Sequence, residues 1–139
     1  MTKATPGRLW TRVIALLAIA FGLLTVKEGG TVIFGGAAAR SAAGDYVPFV
    51  LWFNFTAGFF YILAGIGLWL QRRWALALAI VIAAATLFTF LAFGLHVYAG
   101  GAYEPRTVAA MSLRSLLWLA IAAFAWRVTR GRGVGEGAQ

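Results

Sequence analysis

Asn54, His96 and Arg114 are polar side chains standing inside otherwise apolar stretches of this 139-residue chain. An arginine carries a fixed positive charge with five N–H donors, an asparagine both donates and accepts, and a histidine can titrate near neutrality. Lys27, Glu28, Glu104 and Arg106 sit at the ends of the same stretches. Together they suit a polar pocket in which Arg114 supplies fixed charge, Glu28 or Glu104 its counter-charge, and His96 the titratable member. The same residues also suit plain structural pairing, either an Arg114–Glu28 or an Arg114–Glu104 bridge, with Asn54 taking up spare donors. Arg114 extending to the surface by itself is a further option. Ionisable groups at bilayer depth default to function, and both alternatives stay open at this point.

The remaining inventory narrows the chemistry. Without a cysteine, the chain has no disulfide, thiolate metal site or CxxC redox pair. A haem held between helices usually needs two axial histidines. There is one, His96, with Met111 a poor second ligand. A structural zinc needs four ligands, whereas His96, Glu28 and Glu104 give at most three, so neither haem nor zinc is expected within one chain. A metal shared across an oligomer stays open. Ser41, Ser112 and Ser115 are not placed for a Ser-His-Asp arrangement, and Gly29-Gly30 and Gly35-Gly36 lack the strand and lysine of a phosphate loop. No residue is assigned a catalytic role.

These side chains meet only if the elements carrying them are placed correctly. Hydrophobic residues make up 62% of the sequence and charged ones 12%, and a spanning helix needs ~20 mostly apolar residues. Four such runs are predicted, over residues 9–26, 47–70, 74–98 and 106–126, giving an all-α, integral membrane, antiparallel four-helix bundle. The 12 Lys and Arg split unevenly. Lys3, Arg8, Arg12, Arg72, Arg73, Arg127, Arg130 and Arg132 flank one side, against only Glu136. Lys27, Arg40, Arg106 and Arg114 fall on the other, with Glu28, Asp45 and Glu104. Cytoplasmic flanks keep Lys and Arg, so both ends are expected in the cytoplasm, with the basic residues at anionic headgroups. This distribution also explains the net charge of +8 without invoking nucleic acid.

Depth then follows from helical rise. Arg114 lies nine positions past Pro105, ~13 Å along its helix, Asn54 six past Pro48, ~9 Å, and His96 four before Gly100, ~6 Å. Since Cβ bonds tilt toward a helix's N-terminus, Asn54 and Arg114 lean outward and His96 inward. All three are expected to converge in the outer third of a bundle whose four helices all contribute. A weaker polar stripe, Asn54 with Tyr61 and Thr89 with His96, either continues the pocket inward or makes interhelical hydrogen bonds.

The connection over 28–46 is the longest, and its apolar patch between glycine pairs suits a helix extension, a kink, a re-entrant element or a flexible loop. Gln71-Arg72-Arg73 forces a hairpin, and a mobile cytoplasmic tail is expected over 129–139. Ala37-Ala38-Ala39 looks like a cleavage site but lies too far past the first apolar run, so that span is expected to be retained. Small residues at Ala15, Ala18, Gly22 and Gly29, and at Ala57, Gly58, Ala64, Gly65 and Gly67, mark close-packing faces, mostly within the chain. The six tryptophans fall mostly near the expected interfaces.

The hairpin Ala57-Gly58-Phe59-Phe60-Tyr61-Ile62-Leu63-Ala64-Gly65-Ile66-Gly67-Leu68-Trp69-Leu70-Gln71-Arg72-Arg73-Trp74-Ala75-Leu76-Ala77-Leu78 resembles the DoxX-like group of small four-helix bacterial membrane proteins. In that group a Gly-rich second span runs through a short basic turn into an Ala/Leu-rich third. The resemblance implies a multi-pass protein of the bacterial inner membrane, associated with redox subunits and with quinone-linked chemistry, quinone being the cofactor it suggests. It carries over no functional residue. The leading expectation is therefore a small accessory or ligand-binding membrane subunit with an outward-facing polar pocket. An oligomeric small transporter or channel, and a structural or assembly factor without a ligand, are the alternatives.

Overall fold

The structure, a computed structural model, describes residues 6–136, and the side chains at positions 6, 132 and 134–136 are not included in that description. Lys3, the Arg132 and Glu136 side chains and the expected tail's residues 137–139 therefore lie outside the described residues. Within them the chain is helical, with no strand: α1 Pro6–Phe34, α2 Gly36–Ala43, α3 Pro48–Trp69, α4 Trp74–Tyr98 and α5 Pro105–Glu136. Four of these contain segments long and apolar enough to cross a membrane, Gly7–Phe34, Pro48–Trp69, Trp74–Tyr98 and Pro105–Gly131. The connection expected over 28–46 is largely helix: α1 runs on to Phe34, and α2 follows after a break at Gly35. α5 likewise continues past 126 into the segment expected as a tail.

Several hydroxyl-bearing residues tolerate apolar surroundings here because they bond their own helix. Thr11, Thr25, Ser112, Ser115 and Thr129 each donate to the carbonyl four residues back at 2.7–2.8 Å, which leaves no donor bare. The distribution of side chains is the reverse of a soluble protein's. Leu23, Leu24, Phe88 and Leu116 are more than half exposed, while Ala15, Ala18, Ala64, Thr86 and Met111 are fully buried. Lipid gives large apolar residues no reason to turn inward, so small ones form the contacts.

α1 packs most extensively on α3, α3 on α4 and α4 on α5, whereas α1 and α5 barely touch. The α1–α3 contact is glycine-mediated. A Cβ at Gly22 would stand 2.7 Å from the Gly58 carbonyl oxygen, and one at Gly65 2.8 Å from that of Ala15. Gly29 meets Phe55, so contacts advance along α1 as they retreat along α3, and the two helices run in opposite directions. Between α1 and α5, whose backbones approach at few points, lies a seam. That seam is where the polar residues collect.

Candidate functional site

The α1–α5 seam holds an open cavity of about 370 Å³. From α1 it receives Thr25, Glu28, Gly29 and Val32, one face at helical spacing, and from α3 Leu51 and Asn54. α5 supplies Arg106, Thr107, Ala110 and Arg114, with Ala43 from the end of α2 and Tyr46 and Glu104 from the connections. Of the residues singled out from sequence, Glu28, Asn54, Glu104, Arg106 and Arg114 thus share one cavity. Lys27 and His96 do not. Lys27 is exposed on α1 beside the lining face. The His96 ring folds over the α4–α5 connection, its Nε2 3.0 Å from the Ala102 carbonyl oxygen, and meets Phe49 edge-on with ring centres 6.2 Å apart. α4 lines none of this cavity, because it packs on α3 and α5 away from the seam. Three long helices build the site, not four.

Its rim is fixed by polar contacts to backbone. The Asp45 amide donates to Glu104 Oε1 at 2.8 Å, and Arg106 donates to the Ala42 and Ala43 carbonyl oxygens at 3.4 and 3.3 Å. Arg106 thereby caps the C-terminal end of α2, where carbonyls lack partners and favour a cation. Gly44 adopts φ +73°, and any side chain there would collide with the Glu104 carboxylate. The short linker is thus pinned to the start of α5, where the Thr107 amide bonds the Glu104 carbonyl at 2.9 Å. Glu28 has neither a hydrogen bond nor an ion pair among the described residues, and it is exposed.

At the floor the chemistry changes. Arg114 is only 8% exposed, and its Nε is buried without a hydrogen-bond partner. No carboxylate forms an ion pair with it among the described residues. Its guanidinium lies over the Phe21 ring, Cζ 5.6 Å from the centroid. Phe21 stacks on Tyr61 at 5.7 Å, and Tyr61 packs on the fully buried Trp118 at 4.8 Å. Aromatic rings therefore close the inner side. The Tyr61 hydroxyl has Thr86 and Arg114 as neighbours, yet its oxygen, Thr86 Oγ1, Trp118 Nε1 and Asn54 Oδ1 are all buried with no hydrogen bond.

Sequence reasoning missed Thr25, Tyr46, Thr107, Thr86 and Trp118 as neighbours of the polar set. For Thr25 a signal existed, since it shares the small-residue stripe of Ala18, Gly22 and Gly29. Trp118 had none, because a tryptophan in an apolar helix more often marks an interface; Trp10, Trp52, Trp69, Trp74 and Trp126 all remain exposed. Among the described residues no three His, Asp or Glu cluster closely enough to hold a metal. A separate groove of about 190 Å³ between α3 and α4 exposes only apolar atoms. No protein-family model, curated protein or solved structure matches the chain.

Proposed function

We propose that this chain is a multi-pass membrane protein, an antiparallel four-helix bundle with both ends in the cytoplasm, that binds a small polar ligand in the α1–α5 cavity from the outer face. One observation carries the proposal: Arg114, nine-tenths buried on the cavity wall, has no counter-charge among the described residues. Internal glue would have been an ion pair, and a buried arginine without one is a binding group awaiting a partner. Orientation is supported by the basic ends. Arg12 lies over Trp69 at 5.1 Å and Arg130 over Trp126 at 5.8 Å, at helix ends remote from the cavity's rim at Glu104 and Tyr46.

The DoxX-like hairpin adds a setting, a bacterial inner membrane in which the ligand-binding subunit works beside a quinone-linked redox assembly. The test is native mass spectrometry of the protein extracted in mild detergent, reading bound small molecules, companion subunits and copy number in one spectrum. A retained small molecule that Arg114→Gln releases supports the pocket. A symmetric oligomer with no such molecule favours the transporter class. Bare monomers, with alanine variants at Asn54, Glu104 and Arg114 altering only thermal stability, leave an assembly factor.

A further inference from the structure

We infer that the floor of this cavity is a site for a compact, singly charged oxyanion, held by Arg114 with Asn54 beside it. The inference rests on the ligand-binding reading above and specifies the ligand's chemical class. A guanidinium offers a planar fork of N–H donors matched to two oxygens of one anion. Here Phe21 covers one face of that plane and Nε is itself buried, so the terminal N–H groups are the part left to meet a ligand on the cavity wall. Water could solvate those donors but cannot neutralise the charge, and the ring wall of Phe21, Tyr61 and Trp118 leaves no bulk solvent behind it. In a medium of low dielectric an anion is the partner that relieves a buried cation. Asn54 lines the same cavity, and its carboxamide oxygen is buried with no hydrogen bond. A hydroxyl on the ligand, or the alternative orientation of that amide donating to the anion, would complete it.

The rim limits the charge. Glu28 and Glu104 line the cavity with Arg106, so a second negative charge on the ligand would have two carboxylates nearby. A carboxylate and a phosphodiester headgroup both satisfy the description, the first arriving as a solute and the second as a lipid.

The experiment measures thermal unfolding of the full chain by its tryptophan fluorescence. In non-ionic detergent the probes are sodium lactate, disodium succinate and sodium chloride at matched ionic strength. In nanodiscs they are phosphatidylglycerol, whose phosphodiester charge is uncompensated, against phosphatidylcholine, whose choline neutralises the same group. A saturable rise of roughly 4 °C with lactate or with phosphatidylglycerol, over its control, is expected, with a smaller rise for succinate. Arg114→Gln removes it, Arg114→Lys keeps a weaker one, and Asn54→Ala weakens binding roughly tenfold. If Arg114→Gln does not fold, the Lys and Asn54 variants carry the test. A response to lactate identifies a solute, and one confined to phosphatidylglycerol identifies a headgroup; either upholds the site when it depends on Arg114. It is overturned by a wild type indifferent to both, or by a response that survives Arg114→Gln or is undiminished in Arg114→Lys. A neutral compound retained through purification and displaced by no anion would overturn the oxyanion alone and leave the ligand-binding reading intact. No retained compound and no anion response would remove both.

Discussion

Arg114 is the side chain whose surroundings conflict most with its chemistry. A charge near mid-bilayer costs ~3 kcal/mol on insertion scales, and here no carboxylate within the described chain offsets it. Arg114→Met should therefore make the unliganded protein more stable, by about 1–3 kcal/mol, seen as a higher unfolding temperature in detergent without added anion. A lower temperature would mean that the guanidinium already has a stabilising partner. Glu104 is a different case despite sharing the cavity. Its carboxylate accepts the Asp45 amide, so Glu104→Ala should loosen the linker and lower stability by about 1–3 kcal/mol, checked by the same unfolding measurement. Two neighbouring charged residues thus give opposite signs, because one is satisfied by backbone and the other is not.

At the scale of elements, the tight α1–α3 pairing creates the seam opposite it. Gly22→Leu would push against Gly58 and Ile62, both at 2.7 Å from the position of an added Cβ. Overpacking of this kind costs about 1–3 kcal/mol, and the displaced α1 should narrow or distort the cavity as well. Thermal unfolding together with retention of bound small molecules reads both effects. α2 is held differently, by Arg106 at its last carbonyls and by the Gly44 turn. Gly44→Ala meets an unfavourable φ and the Glu104 carboxylate together. It should cost about 1–3 kcal/mol, with faster amide hydrogen exchange confined to residues 36–47. Exchange spread evenly over α1 and α3 would contradict that local role.

For the whole molecule, the decisive question is orientation, and the absence of native cysteine makes it simple to ask. Single cysteines at Ala38 or Ala102 are expected to react with a membrane-impermeant thiol reagent in intact cells. One at Gly131 should react only after the membrane is opened. The reverse pattern would place the cavity mouth in the cytoplasm and the basic ends outside, against the usual retention of Lys and Arg.

Much of the fold was legible before any coordinates. Apolar length marked the spans, and the third predicted one coincides with α4, Trp74–Tyr98, because a bilayer imposes a thickness that a linear count can measure. Helical rise likewise placed Asn54 and Arg114 at similar depth, and both line the cavity. Depth, however, says nothing about azimuth. His96 had a suitable depth, but α4 turns it toward Ala102 and Phe49, and only helix packing decides which way a residue faces. The helical course of 28–43 was equally hidden, since alanine and glycine there suit helix and loop alike. The sequence by itself determined which stretches are long and apolar enough to span a membrane, and where along them the polar residues fall. Tertiary structure decided which faces meet: glycine contacts draw α1 onto α3, and Arg114 of α5 comes to the cavity wall against Phe21 with no carboxylate partner among the described residues, because packing and not helical rise sets azimuth.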